Sequence, residues 1–392
     1  MTTASRARRL QRQNVEIRQV SGASHTHYYL TVRADGSGDP YTQLAAILAE
    51  NAIQPIQEQI LGLASAKDEL LARRKVAFTE HSLDPELPFC HIEGRPTLEG
   101  PWAGVQIWGV GPGPRNRPAD VATVDCPGGT RGRLWSTGGA RLLNVPAITG
   151  AEGGASAPDQ ARRMFTNARA ALQAHGFPYS KVVRTWIYMR RLLDWYDDFN
   201  KVRNALYCDP AFYGAPADDR FPASTGIQGR SADEECLMNV LAVDAGRDRG
   251  VGVRSILKSG RQGQAFAYRS AFSRATVLDL DGLETIYVSG TASIDDAGES
   301  AYRGDRDAQA FQTLMSIASL LDEQGARLED VCAATLYCAD IEALHAYRRV
   351  EKLLGLPTLP YVAVLADVCR KDLLIEMEVT AVIAGKTPED HE

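Results

Sequence analysis

Two glutamates stand two residues apart in LLIEMEV, Glu376 and Glu378, and alternate with Ile375, Met377 and Val379. Side chains alternate across a strand, so this spacing predicts one apolar face and one doubly acidic face. A carboxyl on a sheet face that borders a dry cleft keeps its proton toward neutral pH and serves as a general acid. The plainer expectation for the same pattern is a pair of glutamates facing water. In VVRTWIYM, Arg184 shares a strand face with Trp186 and Tyr188. A guanidinium between two large aromatics suits a carboxylate clamp, with a surface ion pair as the competing reading. Tyr268 and Arg274, in YRSAFSRA, supply further donors. Cys369 precedes Glu376 by seven residues with no histidine near it, which reads first as a small apolar residue rather than a nucleophile. His25 and His27 share a strand face with no third ligand nearby, so a polar strand edge is expected there rather than a metal site.

The elements that position these residues occur twice. Strand ARLLNVPAITG, a helix from Pro158 to His175 stopped by Gly176, strand KVVRTWIYM, helix DWYDDFNKVRNALY, then FPASTGI and CLMNVLAVDA form the first series. ETIYVSGTASI, a helix from Asp305 to Gln324 stopped by Gly325, VCAATLYCAD, a helix from Ile341 to Leu354, LPYVAVLA and DLLIEMEVTAVIA form the second. Gly176 to Tyr188 and Gly325 to Tyr337 each span twelve residues. The fold class expected is α+β: a duplicated sheet-plus-two-helix unit behind an N-terminal extension. The divisions expected are 1–100 for that extension and its helical region, 101–250 for a first, degenerate unit, and 270–386 for a second unit carrying Glu376. Laying Pro222 over Pro360 sets Asn239 against Glu376 and Leu241 against Glu378. Tyr41 to Arg74 reads as one kinked helix or two consecutive ones, with Pro55 as the interruption. GVGPGP, Gly109 to Pro114, imitates a phosphate-binding glycine loop, but its prolines remove N–H donors and a turn is expected.

Composition narrows the partners. The 392 residues are 44% apolar and 23% charged, with a net charge of −6, which argues against nucleic-acid binding. Seven scattered cysteines form no CxxC pair and fit neither a disulfide framework nor a zinc knuckle, so a reducing cytoplasm is expected. The basic start MTTASRARRLQRQ leads into polar sequence rather than a signal-peptide core, and no run is long enough for a membrane span.

The second half resembles the Rid (YjgF/L-PSP) family in YVSGTASI, VCAATLYCADIEAL and PYVAVLADV…LLIEMEVTAVIA. Two such halves, with FTEHSLDPELPF, GRPTLEGPWAG, VRTWIY, FPASTGI, YRSAFSRA, GDRDAQ and DVCRKDLLIEME, resemble the chorismatases, which release pyruvate from chorismate. The resemblance implies that Glu376 protonates the methylene carbon of the enolpyruvyl ether. It implies that Gly290 with Cys369 marks the branch forming 3-hydroxybenzoate through an arene oxide, where alanine at both positions marks hydrolysis to a dihydroxycyclohexadienoate. Arg184, Tyr268 and Arg274 match substrate-binding positions, and no metal or organic cofactor is implied. A small-molecule substrate, chorismate or a close relative, is the expected partner. Single-unit Rid proteins form trimers with sites between subunits, which leaves monomer and trimer both open for this chain. The second hypothesis is a Rid-type imine or enamine deaminase, disfavoured because strand alternation would turn Arg370 away from Cys369.

Overall fold

The computed structural model describes residues 7–34, 39–137, 139–214, 221–246 and 251–385. The basic start of the chain and the expected boundary near 250 fall partly outside them. Both expected copies are present. The first sheet of the duplicated pair has the order Ala223–Gln228, Val182–Met189, Cys236–Asp244, Ala140–Thr149, Arg131–Thr137, Asp120–Asp125. The second runs Gly252–Ile256, Ala275–Leu280, Leu283–Ala292, Ile375–Ala384, Val331–Cys338, Tyr361–Leu365, with Arg95–Pro96 added at its edge. Each has two long helices on one face, Ala157–Gln173 with Leu192–Tyr207 and Arg306–Asp322 with Ile341–Leu353. The matching helices also start and stop by matching chemistry. Ser156 and Asp305 accept from backbone N–H groups three residues on, and Gly176 and Gly325 take positive φ beyond the last turn.

The N-terminal region is not a mainly helical extension. It builds a third sheet in the same order: Arg8–Arg12, Val15–Ser21, His25–Arg33, Trp102–Pro112, Gln54–Gly62, Cys90–Glu93. Its last strand lies beyond the boundary expected at residue 100. The helical stretch expected from Tyr41 to Arg74 is a helix, a strand and a helix: Tyr41–Glu50, Gln54–Gly62 and Lys67–Glu80. The strand is buried on both faces, so its period of two was hidden, and Pro55 is its second residue, next to the point where the register slips. The first four residues of the GVGPGP stretch end the strand Trp102–Pro112, and the expected turn follows at Gly113–Pro114, closed by the Asn116 N–H donating to the Gly113 carbonyl at 2.8 Å. Its Gly109 lies where a Cβ would meet the Gln54 carbonyl oxygen at 2.8 Å, so close strand approach explains the glycine. His25 and His27 sit on an interior strand and are buried rather than at a polar edge. His27 Nε2 lies 3.8 Å from Asp281 of the third unit, and Trp135 of the second meets the His27 ring edge-on at 5.4 Å.

The three sheets turn their helix-free faces inward onto one shared core, which includes Trp108, Trp135, Trp186, Tyr188, Tyr287 and Tyr337. Each pair of helices covers its own sheet with a separate apolar layer. A residue at the end of an inward-facing strand is therefore buried between units, and that arrangement makes the clefts. Among the described residues no helix is long and apolar enough to cross a membrane.

Candidate active site

Glu376 is the second residue of Ile375–Ala384. Ile375, Met377 and Val379 join the layer under the helices, which sends Glu376 and Glu378 to the inward face, as alternation requires. The expectation of solvent exposure fails: the two are 4% and 5% exposed. Burial, and then the Glu378 charge, push the Glu376 carboxyl up to about 8, with Arg184 opposing. The neighbouring strand has a bulge between Val288 and Thr291, and Gly290 lies in it. A Cβ at Gly290 would stand 2.0 Å from Glu376 Oε1 and 3.0 Å from its Cδ. Glycine is there because the acid occupies the space a side chain would take.

Around Glu376 a narrow cleft forms between the second and third units. Tyr196 and Arg203 come from the helix Leu192–Tyr207, Ser224 and Gly226 from the strand Ala223–Gln228, and Tyr268, Ser270, Phe272 and Arg274 from the connecting segment. The third unit adds Gly290, Ala292, Ile294, Cys369 and Arg370. Five of the six residues expected from sequence thus meet here: Glu376, Cys369, Gly290, Tyr268 and Arg274. Arg274 donates through Nε and Nη2 to the Gly263 carbonyl at 2.9 and 2.8 Å and lies over the rings of Tyr268 and Phe272. Cys369 has its thiol pushed up to about 12, chiefly by burial and then by Glu376, so it stays protonated.

Arg184 is the sixth, and it does not line this cleft. It is 2% exposed, stacks on Trp186 at 4.9 Å and gives Nη2 to Glu378 at 2.5 Å. The carboxylate clamped by Arg184 is the protein's own. The copy alignment also needs correction. Tyr188 pairs with Leu237 and Tyr337 with Glu376, so Leu237, not Asn239, occupies the position of the acid in the second unit. An apolar residue there leaves that unit without a counterpart acid.

Sequence reasoning missed Arg203, Tyr196 and Arg370. Arg203 is two helical turns beyond Tyr196, a spacing that puts both on one helix face and was the available signal. Arg203 is buried, gives Nη2 to Asn200 at 2.6 Å and lies near the rings of Phe199 and Phe272. Arg370 was expected to point away from Cys369, but both lie in a bend after the strand Tyr361–Leu365, where alternation does not apply. Arg370 lines the cleft, giving Nη1 to the Gly298 carbonyl at 2.7 Å. Among the described residues none of Arg203, Arg274 and Arg370 is paired with a carboxylate. The arrangement can bind an anion through guanidinium groups and deliver a proton to it from a buried acid.

Comparison with known proteins places the same region. A family model, Endoribonuclease L-PSP, matches residues 263–383. A RutC family protein of Pyrococcus abyssi is 33% identical over 97 residues, covering 24% of this chain and 76% of that protein. Among solved structures, a chorismatase covers 92% of this chain and 100% of its own at a TM-score of 0.60, with 20% identity. The YjgF gene product of E. coli covers 33% of this chain and 98% of its own at a TM-score of 0.27, with 20% identity. The two Rid-like halves read from the sequence are thus present, behind a third sheet of the same strand order, and together they follow the chorismatase fold over nearly the whole chain.

Proposed function

This chain belongs to the RutC family, and from that premise we propose that it is a chorismatase that converts chorismate to 3-hydroxybenzoate and pyruvate. The observation that carries the reading is a carboxyl, Glu376, buried and protonated near neutral pH at the wall of a cleft ringed by guanidinium groups. Chorismate is a dianion, and a chain of net charge −6 needs cations gathered locally to hold it. Arg203, Arg274 and Arg370 supply them, and the faces of Tyr268 and Phe272 pack against guanidinium planes to fix their orientation.

In this reading Glu376 gives its proton to the methylene carbon of the enolpyruvyl ether. The ether carbon becomes cationic and the bond from ring carbon to ether oxygen weakens. The ring hydroxyl displaces that oxygen internally, forming an arene oxide and giving up its proton, which restores the Glu376 carboxyl, as pyruvate leaves. The oxide then opens at its bond to the carbon that first bore the hydroxyl, and the proton lost from the neighbouring ring carbon passes to the oxygen to give the aromatic product. The atoms of chorismate divide between the two products with nothing added, so the cleft must exclude water. Gly290 leaves Glu376 its place, and Cys369, held as a thiol, forms a small apolar wall beside it. These two residues favour 3-hydroxybenzoate over the hydrolytic product, a dihydroxycyclohexadienoate. The seven unpaired cysteines accord with a reducing cytoplasm.

Incubation of the purified protein with chorismate, with products separated by chromatography, tests the reading. Release of pyruvate with 3-hydroxybenzoate supports it, and Glu376→Gln should abolish both while leaving the fold intact. Unchanged chorismate ends it. The presence of Arg370 in the cleft favours one second reading, a Rid-type imine deaminase, in which that guanidinium holds an imino-acid carboxylate. Ammonia release from 2-aminoacrylate-derived imines separates the two.

A further inference from the structure

Glu376 and Glu378 share a strand face, but their surroundings differ in kind. Glu378 Oε2 accepts from Arg184 Nη2 at 2.5 Å and from the Thr225 hydroxyl, while Oε1 accepts from the Tyr337 hydroxyl at 3.2 Å. A carboxyl that takes three donors, one of them a guanidinium, is held ionised. No side-chain donor among the described residues comes within hydrogen-bond distance of the Glu376 carboxyl.

Thr225 ties the two environments together. Its hydroxyl has one proton and two lone pairs, and all are committed. It donates to Glu378, accepts from Arg184 Nη2 at 2.6 Å and accepts from the Gly290 N–H at 3.1 Å. Gly290 is the residue against which the Glu376 carboxyl rests. Arg184, Glu378, Thr225 and Gly290 form one bonded chain that ends on the wall behind the acid.

We propose that Arg184, Glu378 and Thr225 are positioning residues for Glu376: a buried ionised pair whose hydroxyl link fixes the Gly290 bulge against the acid, and whose carboxylate opposes a second negative charge beside it. The proposal deepens the chorismatase reading and rests on Glu376 as the acid. Two carboxylates on one buried face cannot both ionise cheaply, and the donors select Glu378 for the charge. The groups facing Glu376 are Glu378 on its own strand, Tyr337 on the neighbouring strand and Arg184 on a strand of the second unit's sheet. Cys369 and Arg370 face it from the preceding bend, Tyr196 and Arg203 from the helix, and Tyr268 and Arg274 from the connecting segment. Of the charged ones, Glu378 raises and Arg184 lowers its proton affinity most.

The sign follows. Without the Glu378 charge, Arg184 acts on Glu376 unopposed, and the acid loses its proton at lower pH. Glu378→Gln should therefore move the alkaline limb of kcat/KM to lower pH, about tenfold less turnover above the limb for each pH unit moved. Arg184→Met/Glu378→Gln, which removes both buried charges, should move it in the same direction by less, and serves where the single variant fails to fold. Thr225→Val should lower kcat on the order of tenfold with little change in KM, and Thr225→Ser should restore it.

Infrared spectroscopy of the protein without substrate separates this proposal from the choice of substrate. A protonated-carboxyl band at neutral pH that is absent in Glu376→Gln belongs to the acid, and it should titrate away at lower pH in Glu378→Gln. If chorismate is not turned over but that band shifts, the positioning pair stands and the substrate assignment falls. If the band is missing in the unmodified protein, or titrates identically in the folded Glu378 variants, the proposal is overturned.

Discussion

A carboxyl that keeps its proton inside the fold makes stability depend on pH in a direction opposite to that of an ion-paired glutamate. In the unfolded chain Glu376 releases its proton near the ordinary value of 4.5, and in the fold only at about 8. Between these values the folded state holds a proton that the unfolded state has lost, so stability falls as pH rises through that window. Urea unfolding of the unmodified protein and Glu376→Gln at several pH values should show it. Relative to the glutamine variant, the unmodified protein is expected to lose on the order of a few kcal/mol between pH 5 and pH 8. Beside it, Gly290→Ala should force the carboxyl out of place, since the new Cβ overlaps Oε1, and should cut turnover on the order of a hundredfold without unfolding the protein. Gly290 is not among the glycines with positive φ, so its backbone accepts a side chain and the overlap with the carboxyl is the obstacle. In Cys369→Ala/Gly290→Ala the residual product should shift toward the dihydroxycyclohexadienoate, which chromatography reads directly. At this scale the sequence showed which face Glu376 takes, because alternation is local. Its burial and the partner of Arg184 were illegible, because both depend on strands from another unit.

Among the elements, the bend that carries Cys369 and Arg370 has no regular structure of its own and is pinned by the helix Arg306–Asp322. Gln309, fully buried in that helix, donates to the carbonyls of Tyr302 and Asp372 at 3.2 and 2.8 Å and accepts from the Leu374 N–H at 2.8 Å. Gln309→Ala leaves these backbone groups without partners and should cost about 3 kcal/mol in thermal or urea unfolding. Turnover should fall along with it, because the bend borders Glu376. Helix ends, glycine stops and the spacing to the tyrosines were readable because capping is written within a few residues. The strand Gln54–Gly62 was not, since a doubly buried strand shows no polar face to reveal its period. Arg370 was misplaced for a related reason: the alternation rule was extended past the end of a strand.

The whole molecule places the acid cleft between the second and third units, whose sheets share an inner core with the first. Each sheet buries its inner face only against the other two, through Leu278, Leu280, Tyr287, Tyr337, Val362 and Val364 in the case of the third. The cleft likewise takes Tyr196, Arg203, Ser224 and Gly226 from the second unit. Repetition in the sequence disclosed two of the units, because their tyrosines and glycines match; the first lacked those markers, and only its strand order, observed in three dimensions, makes it a third. A fragment of residues 252–392 contains Glu376, Gly290 and Cys369 but would leave that apolar face uncovered. Such a surface drives association. The fragment is expected to sediment as an oligomer or aggregate rather than as a monomer, and to show no chorismate turnover, since its copies cannot supply the helix bearing Tyr196 and Arg203. Adding the separately prepared 1–251 portion should restore part of the activity if the sheets re-form their common core. A monomeric fragment that turns over chorismate alone would show that the shared core is dispensable to the site.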